Sequence, residues 1–391
     1  MSVGADGEAI AACHHLISDP EAPALRHKQA GGRVVGYLGG TVPVEAITAA
    51  GLFPMRLRGQ PGLATEAADR YMEPVREGYL RSILARLLAG HFDFLDLVVM
   101  PRSSEGLLQF YHLVEHIRAE RPDLDLPPFH LFDLLQTPFD YTARYVRARL
   151  AELVDCLAAL AGRAVGEAAL RHAIARHNTA RKLFGAFTER RRERGSGISG
   201  VDALAVAAAG QLCEVDTFTD LLGRLQDWRP EGPPLPRLMV KGMPQENPAF
   251  YRAVERAGAR IVADDHDWGE RLYDHLVGRD SSQNDDPLDA LTTHCQHHLP
   301  GPRVLPQAAD DARFIAMVET AAVDGVIFCL EAHDDTLGWD YPAQRRMLSE
   351  RGVPHLLITG RSFFDDDRPL DAVDRFVAGL RGHAAVEAGR G

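Results

Sequence analysis

The chain has 391 residues, 46% of them apolar and 25% charged, and a formal net charge of -12. That length exceeds one ordinary core and points to two or three domains, while the composition is that of a globular chain rather than a disordered one. An acidic surface repels phosphate backbones and so excludes nucleic acid, and no run approaches the roughly 18–20 apolar residues of a membrane helix.

The first segment, residues 1–31, has neither the basic nor the apolar stretch of a secretory signal and reads as an N-terminal extension of a cytoplasmic protein. Residues 32–140 alternate short apolar runs with helical patterns. RVVGYL (Arg33–Leu38) and LDLVVM (Leu95–Met100) have the character of buried parallel strands, PVEAITAAG (Pro43–Gly51) that of a helix stopped by glycine, and Tyr79–Gly90 repeats that pattern. Residues 141–230 carry no strand signal. Their Leu/Ala/Val periodicity predicts amphipathic helices, with turns near Gly162 and over Gly195–Gly200. After the breaker run RPEGPPLP, residues 231–391 return to strand–helix alternation. Strands are expected at Arg237–Lys241, Arg260–Ala263, Val323–Leu330 and His355–Thr359, with helices at Pro248–Gly258 and Ala343–Glu350. The fold class is therefore α/β: two doubly wound, Rossmann-like parallel sheets with a helical insertion.

Strand C-termini line the ligand crevice of such sheets. Here they carry Thr41 and Glu45, then Arg102, Ser103, Ser104 and Glu105, then Asp264, Asp265, His266 and Asp267, and finally Glu331, His333, Asp334 and Asp335. Polar clusters from both sheets predict a cleft between two α/β domains. Other motifs carry less. No GxGxxG follows a strand and no GxxxxGK[ST] is present, so neither dinucleotide nor P-loop chemistry is indicated. His112 and His116 share a helix face without completing HExxH and read as a surface pair. HCQHH (His294–His298) has metal-binding side chains, but its spacing is too crowded to close a structural tetrahedron, and its flank reads as a mobile loop. The five cysteines, Cys13, Cys156, Cys213, Cys295 and Cys329, show no CxxC spacing, and Cys329 reads as a core thiol inside a strand.

Several segments together carry a resemblance. VVGYLGGTVPVEAITAAGLFPMRLRG, EGYLRSIL, LDLVVMPRSSE, RLMVKGMPQENPAFYRAVERAGARIVADDHDWGER, VDGVIFCLEAHDDTLGWDYP and RGVPHLLI occur in the order found in the 2-hydroxyacyl-CoA dehydratase and benzoyl-CoA reductase subunit family. The resemblance spans roughly Arg33–Ile358. It implies two α/β domains, a homologous partner subunit, an acyl-CoA substrate between the domains, and a [4Fe–4S] cluster held on thiolates and reduced by an ATP-driven activator. Aligned by their neighbours, the family's cysteine positions fall here on Glu77, Ser104, Asp267 and Asp334, with His333 beside the last. These are oxygen donors where a cluster requires soft sulfur, so a [4Fe–4S] cluster is not expected in this chain.

Three readings of the altered pocket stay open. In the first, the chain is a cluster-free subunit paired with a cluster-bearing paralogue. In the second, it is a redox-free lyase, either with a mononuclear divalent metal on Glu77, His266, Asp267, His333 and Asp334 or with an acid–base set drawn from Glu45, Glu77, Ser104, His333 and Asp334. In the third, it is a non-catalytic acyl-CoA or protein binder. The resemblance also makes Arg56, Arg58 and Lys241 candidate contacts for the CoA pyrophosphate, since anions need cations.

Overall fold

The computed structural model describes residues 5–73, 77–278, 286–301, 306–331, 334, 336–365 and 370–388. Two helices, α1 (Ala5–Ser18) and α2 (Ala22–Gln29), precede a first alternating run: β1 (Val34–Tyr37), α3 (Val44–Ala49), β2 (Phe53–Arg56), α4 (Gly78–Leu88), β3 (Leu97–Pro101), α5 (Glu105–Glu120) and β4 (Phe129–Phe132). Four helices follow without a strand: α6 (Asp140–Ala161), α7 (Glu167–Arg192), α8 (Gly200–Leu212) and α9 (Val215–Arg224). The second alternating run is β5 (Arg237–Gly242), α10 (Ala249–Arg256), β6 (Arg260–Asp265), α11 (Pro287–His297), α12 (Gln307–Thr320), β7 (Gly325–Glu331), α13 (Tyr341–Glu350), β8 (His355–Arg361) and α14 (Asp371–Ala388).

The strands form two parallel four-stranded sheets of the same design, ordered β2-β1-β3-β4 and β6-β5-β7-β8. The expected α/β class with two parallel sheets is thus what the chain adopts. Strand order reverses between β1 and β3 in one sheet and between β5 and β7 in the other, and ligands bind beyond strand ends at such points.

Period-two burial explains how the helical run is used. In the first sheet Val35, Tyr37, Leu97 and Val99 face residues of α3 and α6, while Val34, Val98 and Met100 face α4 and α5. In the second, Leu238, Val240, Ile327 and Cys329 pack with α1, α8 and α9, while Met239, Val262, Val326 and Phe328 pack with α12. The helices between the two runs therefore cover one face of each sheet. Gly162 ends α6 in the left-handed conformation, at φ 68°, which suits glycine.

Two strands escaped the sequence reading, β2 (FPMR) and β4 (FHLF). Both are short edge strands, where Pro54 costs no central ladder bond. Gly242 closes β5 at φ 135°, and a Cβ there would sit 2.1 Å from the Cys329 carbonyl oxygen, so only glycine lets β5 and β7 approach at their ends.

Candidate functional site

The four switch-point loops supply the site. Ser104 caps α5, its Oγ accepting from the Leu107 N–H at 3.2 Å with extended backbone, as the PRSSE sequence suits. Glu77 immediately precedes α4 and lays its carboxylate over Gly106 in the first turn of α5. A Cβ on Gly106 would lie 2.1 Å from Glu77 Oε1. A carboxylate at a helix N-terminus is favourably placed.

Glu331, at the end of β7, brings the second sheet to the same place. Burial first, then the like charges of Glu77, Asp334 and Glu246, push its carboxyl up to about 7. Glu246, in the loop after β5, is fully buried, and its Oε2 accepts the Gly59 N–H at 2.8 Å. Burial likewise pushes Glu246 up to about 7, with Arg56, the Gly59 bond and Arg58 opposing it. The phenol of Tyr79, in α4, is held protonated first by loss of solvent and then by Glu77, Asp267, Glu246 and Glu331. Carboxylates from both sheets therefore act on one half-buried ring.

Asp334 is engaged in its own turn, where Oδ1 accepts the N–H groups of Thr336 at 2.9 Å, Leu337 at 2.7 Å and Gly338 at 3.3 Å. Asp267 pairs with Arg56 at 2.6 Å. The same guanidinium donates to Gln211 at 2.6 Å and lies 4.2 Å from the Trp268 ring centroid. His266 has both ring nitrogens occupied, by the Tyr251 hydroxyl at 2.7 Å and by the Trp268 N–H at 3.2 Å, and burial lowers its pKa. A metal at His266 would have to displace one of these bonds. His333 lies outside the described residues. Among the described residues, no group of three or more His, Cys, Asp and Glu side chains is arranged to hold a metal ion.

The three basic candidates are all buried. Arg56 belongs to Asp267. Arg58 donates to the Ile17 carbonyl at 2.7 Å. Lys241 meets Asp265 at 2.5 Å and Asp310 at 3.5 Å, in a network that also holds Arg271 and Arg313. Drawing Arg56 or Lys241 toward a pyrophosphate would leave a buried carboxylate uncompensated.

Glu45, in the first turn of α3, faces a separate cavity of about 50 Å³ whose polar lining also includes Tyr37, Arg56, His177, Arg181 and Gln211. It pairs with Arg181 at 2.5 Å, both side chains buried. Burial alone would raise Glu45, but Arg181, His177 and His294 win and hold it at about 2. His177 bonds Thr48 Oγ1 at 2.9 Å and is kept neutral by burial, at about 4. Arg56 and Gly40 line this cavity and also touch Asp267, so it abuts the interdomain carboxylates. Thr41 is buried with its hydroxyl unpartnered among the described residues.

The HCQHH segment closes α11, with His298 as its C-cap, and most of the flank read as a loop lies outside the described residues. His294 and Cys295 are buried while His297 is exposed. His112 and His116 are on the surface, as expected. Glu246, Tyr79 and Arg181 were missed by the sequence reading. For Glu246 a signal existed, since it follows β5 at the switch point, whereas Arg181 sits mid-helix among many arginines.

Among the described residues no helix is long and apolar enough to cross a membrane. The family model for the 2-hydroxyglutaryl-CoA dehydratase D-component matches residues 40–372. The chain is 20% identical over 352 residues to the (R)-phenyllactyl-CoA dehydratase beta subunit of Clostridium sporogenes, covering 88% of this chain and 90% of that one. It is 24% identical over 369 residues to one of the benzoyl-CoA reductase subunits of Thauera aromatica, covering 89% and 91%. With two parallel sheets meeting at their switch points and a match across most of its length, the chain belongs to the 2-hydroxyglutaryl-CoA dehydratase D-component family.

Proposed function

We propose that this chain is a subunit without an iron–sulfur cluster of its own, working with a homologous cluster-bearing subunit in the dehydration or reduction of an acyl-CoA. One observation carries the reading. The side chains at the positions that the resemblance assigns to the family's cysteines are oxygen donors already in use: Ser104 caps α5, Asp267 neutralises Arg56, Asp334 holds its own turn, and Glu77 lies over Gly106. This set does not fit a [4Fe–4S] cluster, which requires thiolates. The thiols lie elsewhere, in α1, α6, α11 and β7 and at the end of α8, and burial pushes those of Cys13 and Cys329 up to about 12, so they stay protonated. Both relatives are themselves subunits of larger enzymes, which supports a homologous partner.

A second reading draws on Glu331 and Glu246. Carboxyls pushed up to about 7 are poised to hold and release a proton near neutrality, as redox-free elimination on an acyl thioester needs. The test is anaerobic purification of the tagged full chain from its source organism. The first reading predicts a homologous, iron-containing subunit in equal amount and acyl-CoA turnover only when both are present. Turnover by the isolated chain, abolished in Glu331→Gln, would replace it with the second.

A further inference from the structure

The cavity beside Glu45 has a charge arrangement that restricts what can enter it. Its two guanidiniums are each matched, Arg181 by Glu45 at 2.5 Å and Arg56 by Asp267 at 2.6 Å. Arg56 gives a further bond to Gln211, and Arg181 one to Asn178 at 3.3 Å. The polar groups left to meet a ligand are uncharged: the Tyr37 hydroxyl, which makes no hydrogen bond among the described residues, and the second nitrogen of neutral His177. The remaining wall is apolar, from Val42, Val44, Val215, Phe218, Leu272 and Leu299. At about 10–15 Å³ of such volume per water, a cavity of about 50 Å³ holds about three to five waters, or a comparably short chain of carbons.

We infer that this cavity receives the acyl end of the thioester and selects a short uncharged chain over one ending in a carboxylate. The inference rests on the reading that the protein meets a CoA thioester. A second carboxylate entering here would be desolvated beside Glu45 with no unmatched cation to receive it. A short aliphatic chain instead buries apolar surface against valine, leucine and phenylalanine and leaves both ion pairs intact. Specificity of this kind comes as much from what the site repels as from what it holds.

The test is calorimetric titration of the full chain, with any subunit that accompanies it, against butyryl-CoA, succinyl-CoA and free CoA. The two thioesters have the same chain length and differ in the terminal carboxylate. Butyryl-CoA is expected to bind at least about tenfold tighter than either succinyl-CoA or CoA. Val44→Phe, which fills the cavity from a half-buried position, is expected to bring butyryl-CoA down to the level of CoA. Equal or tighter binding of succinyl-CoA overturns the inference while leaving the acyl-CoA reading in place. So does an unchanged butyryl-CoA affinity in Val44→Phe, which would locate the acyl group elsewhere. If none of the three binds, the acyl-CoA reading itself fails and the inference with it. The wild-type ligand series decides the question even if the variant does not fold.

Discussion

Arg56, which ends β2 in the first sheet, and Asp267, in the loop after β6 in the second, form a 2.6 Å ion pair that ties the two sheets together. Arg56 is 3% exposed, so its partner cannot be removed without consequence. Asp267→Ala is expected to cost about 3 kcal/mol in urea denaturation, because it leaves a buried guanidinium uncompensated. The double variant Arg56→Met/Asp267→Ala should lose less than the sum of the single variants, as residues in contact do.

Gly106 is where the first sheet makes room for Glu77. In Gly106→Ala the new Cβ would lie 2.1 Å from Glu77 Oε1, and the flexible carboxylate swings away while the fold is kept. Glu77 is the strongest like charge acting on Glu331. The Glu331 carboxyl should therefore ionise at a lower pH in this variant, followed by carboxyl carbon resonances in an NMR titration. An unchanged Glu331 titration would mean that the two groups do not face one another.

Two opposing pH dependences of stability should overlap in the acid-to-neutral range, and single variants should separate them. Glu331 and Glu246 have folded values of about 7, above their ordinary 4.5. What they contribute is fully present below pH 4.5 and is lost as pH rises through about 7, because the unfolded chain releases those protons first. His177 and His294 run the other way, with folded values of about 4 and about 3 against an ordinary 6.5. Their contribution is complete above pH 6.5 and is lost as pH falls through those values. Denaturation midpoints across pH should show Glu331→Gln flattening the loss between pH 4.5 and 7 and leaving the acid limb unchanged.

His294 is buried in α11 with both ring nitrogens unpartnered among the described residues. A buried polar group without hydrogen bonds costs about 1–3 kcal/mol. His294→Leu should therefore be neutral or stabilising at pH 7 by thermal denaturation, and should shift acid unfolding to lower pH. A loss of more than about 2 kcal/mol would mean that the ring has a partner in the working protein.

The sheets were legible because buried parallel strands announce themselves as apolar runs. RVVGYL, LDLVVM, RLMVK and VIFCL all fall on central strands. The edges of the second sheet, β6 and β8, were legible too, but those of the first were not, because β2 carries Pro54 and β4 follows Pro127 and Pro128, signals that normally end a strand. For the site, the loops at the strand ends were readable, but the state of their charges was not. Arg56, Arg58 and Lys241 look like free cations in one dimension, and only the fold shows Asp267, the Ile17 carbonyl and Asp265 waiting for them. Glu246 owes its character to depth and to the Gly59 N–H, a partner distant in sequence, and no local pattern encodes that. Glu45, read as a candidate acid–base group, lines the cavity as an ionised partner of Arg181, a residue on a helix read only as periodic.

The most direct measurement is iron and acid-labile sulfide content, with a visible spectrum, on the full chain purified anaerobically and free of other subunits. A cluster-free subunit predicts neither element in stoichiometric amount and no broad band near about 400 nm, the region expected of iron–sulfur chemistry. About four irons and four sulfides per chain with that band would contradict the account, since the oxygen donors at Glu77, Ser104, Asp267 and Asp334 could not have held them.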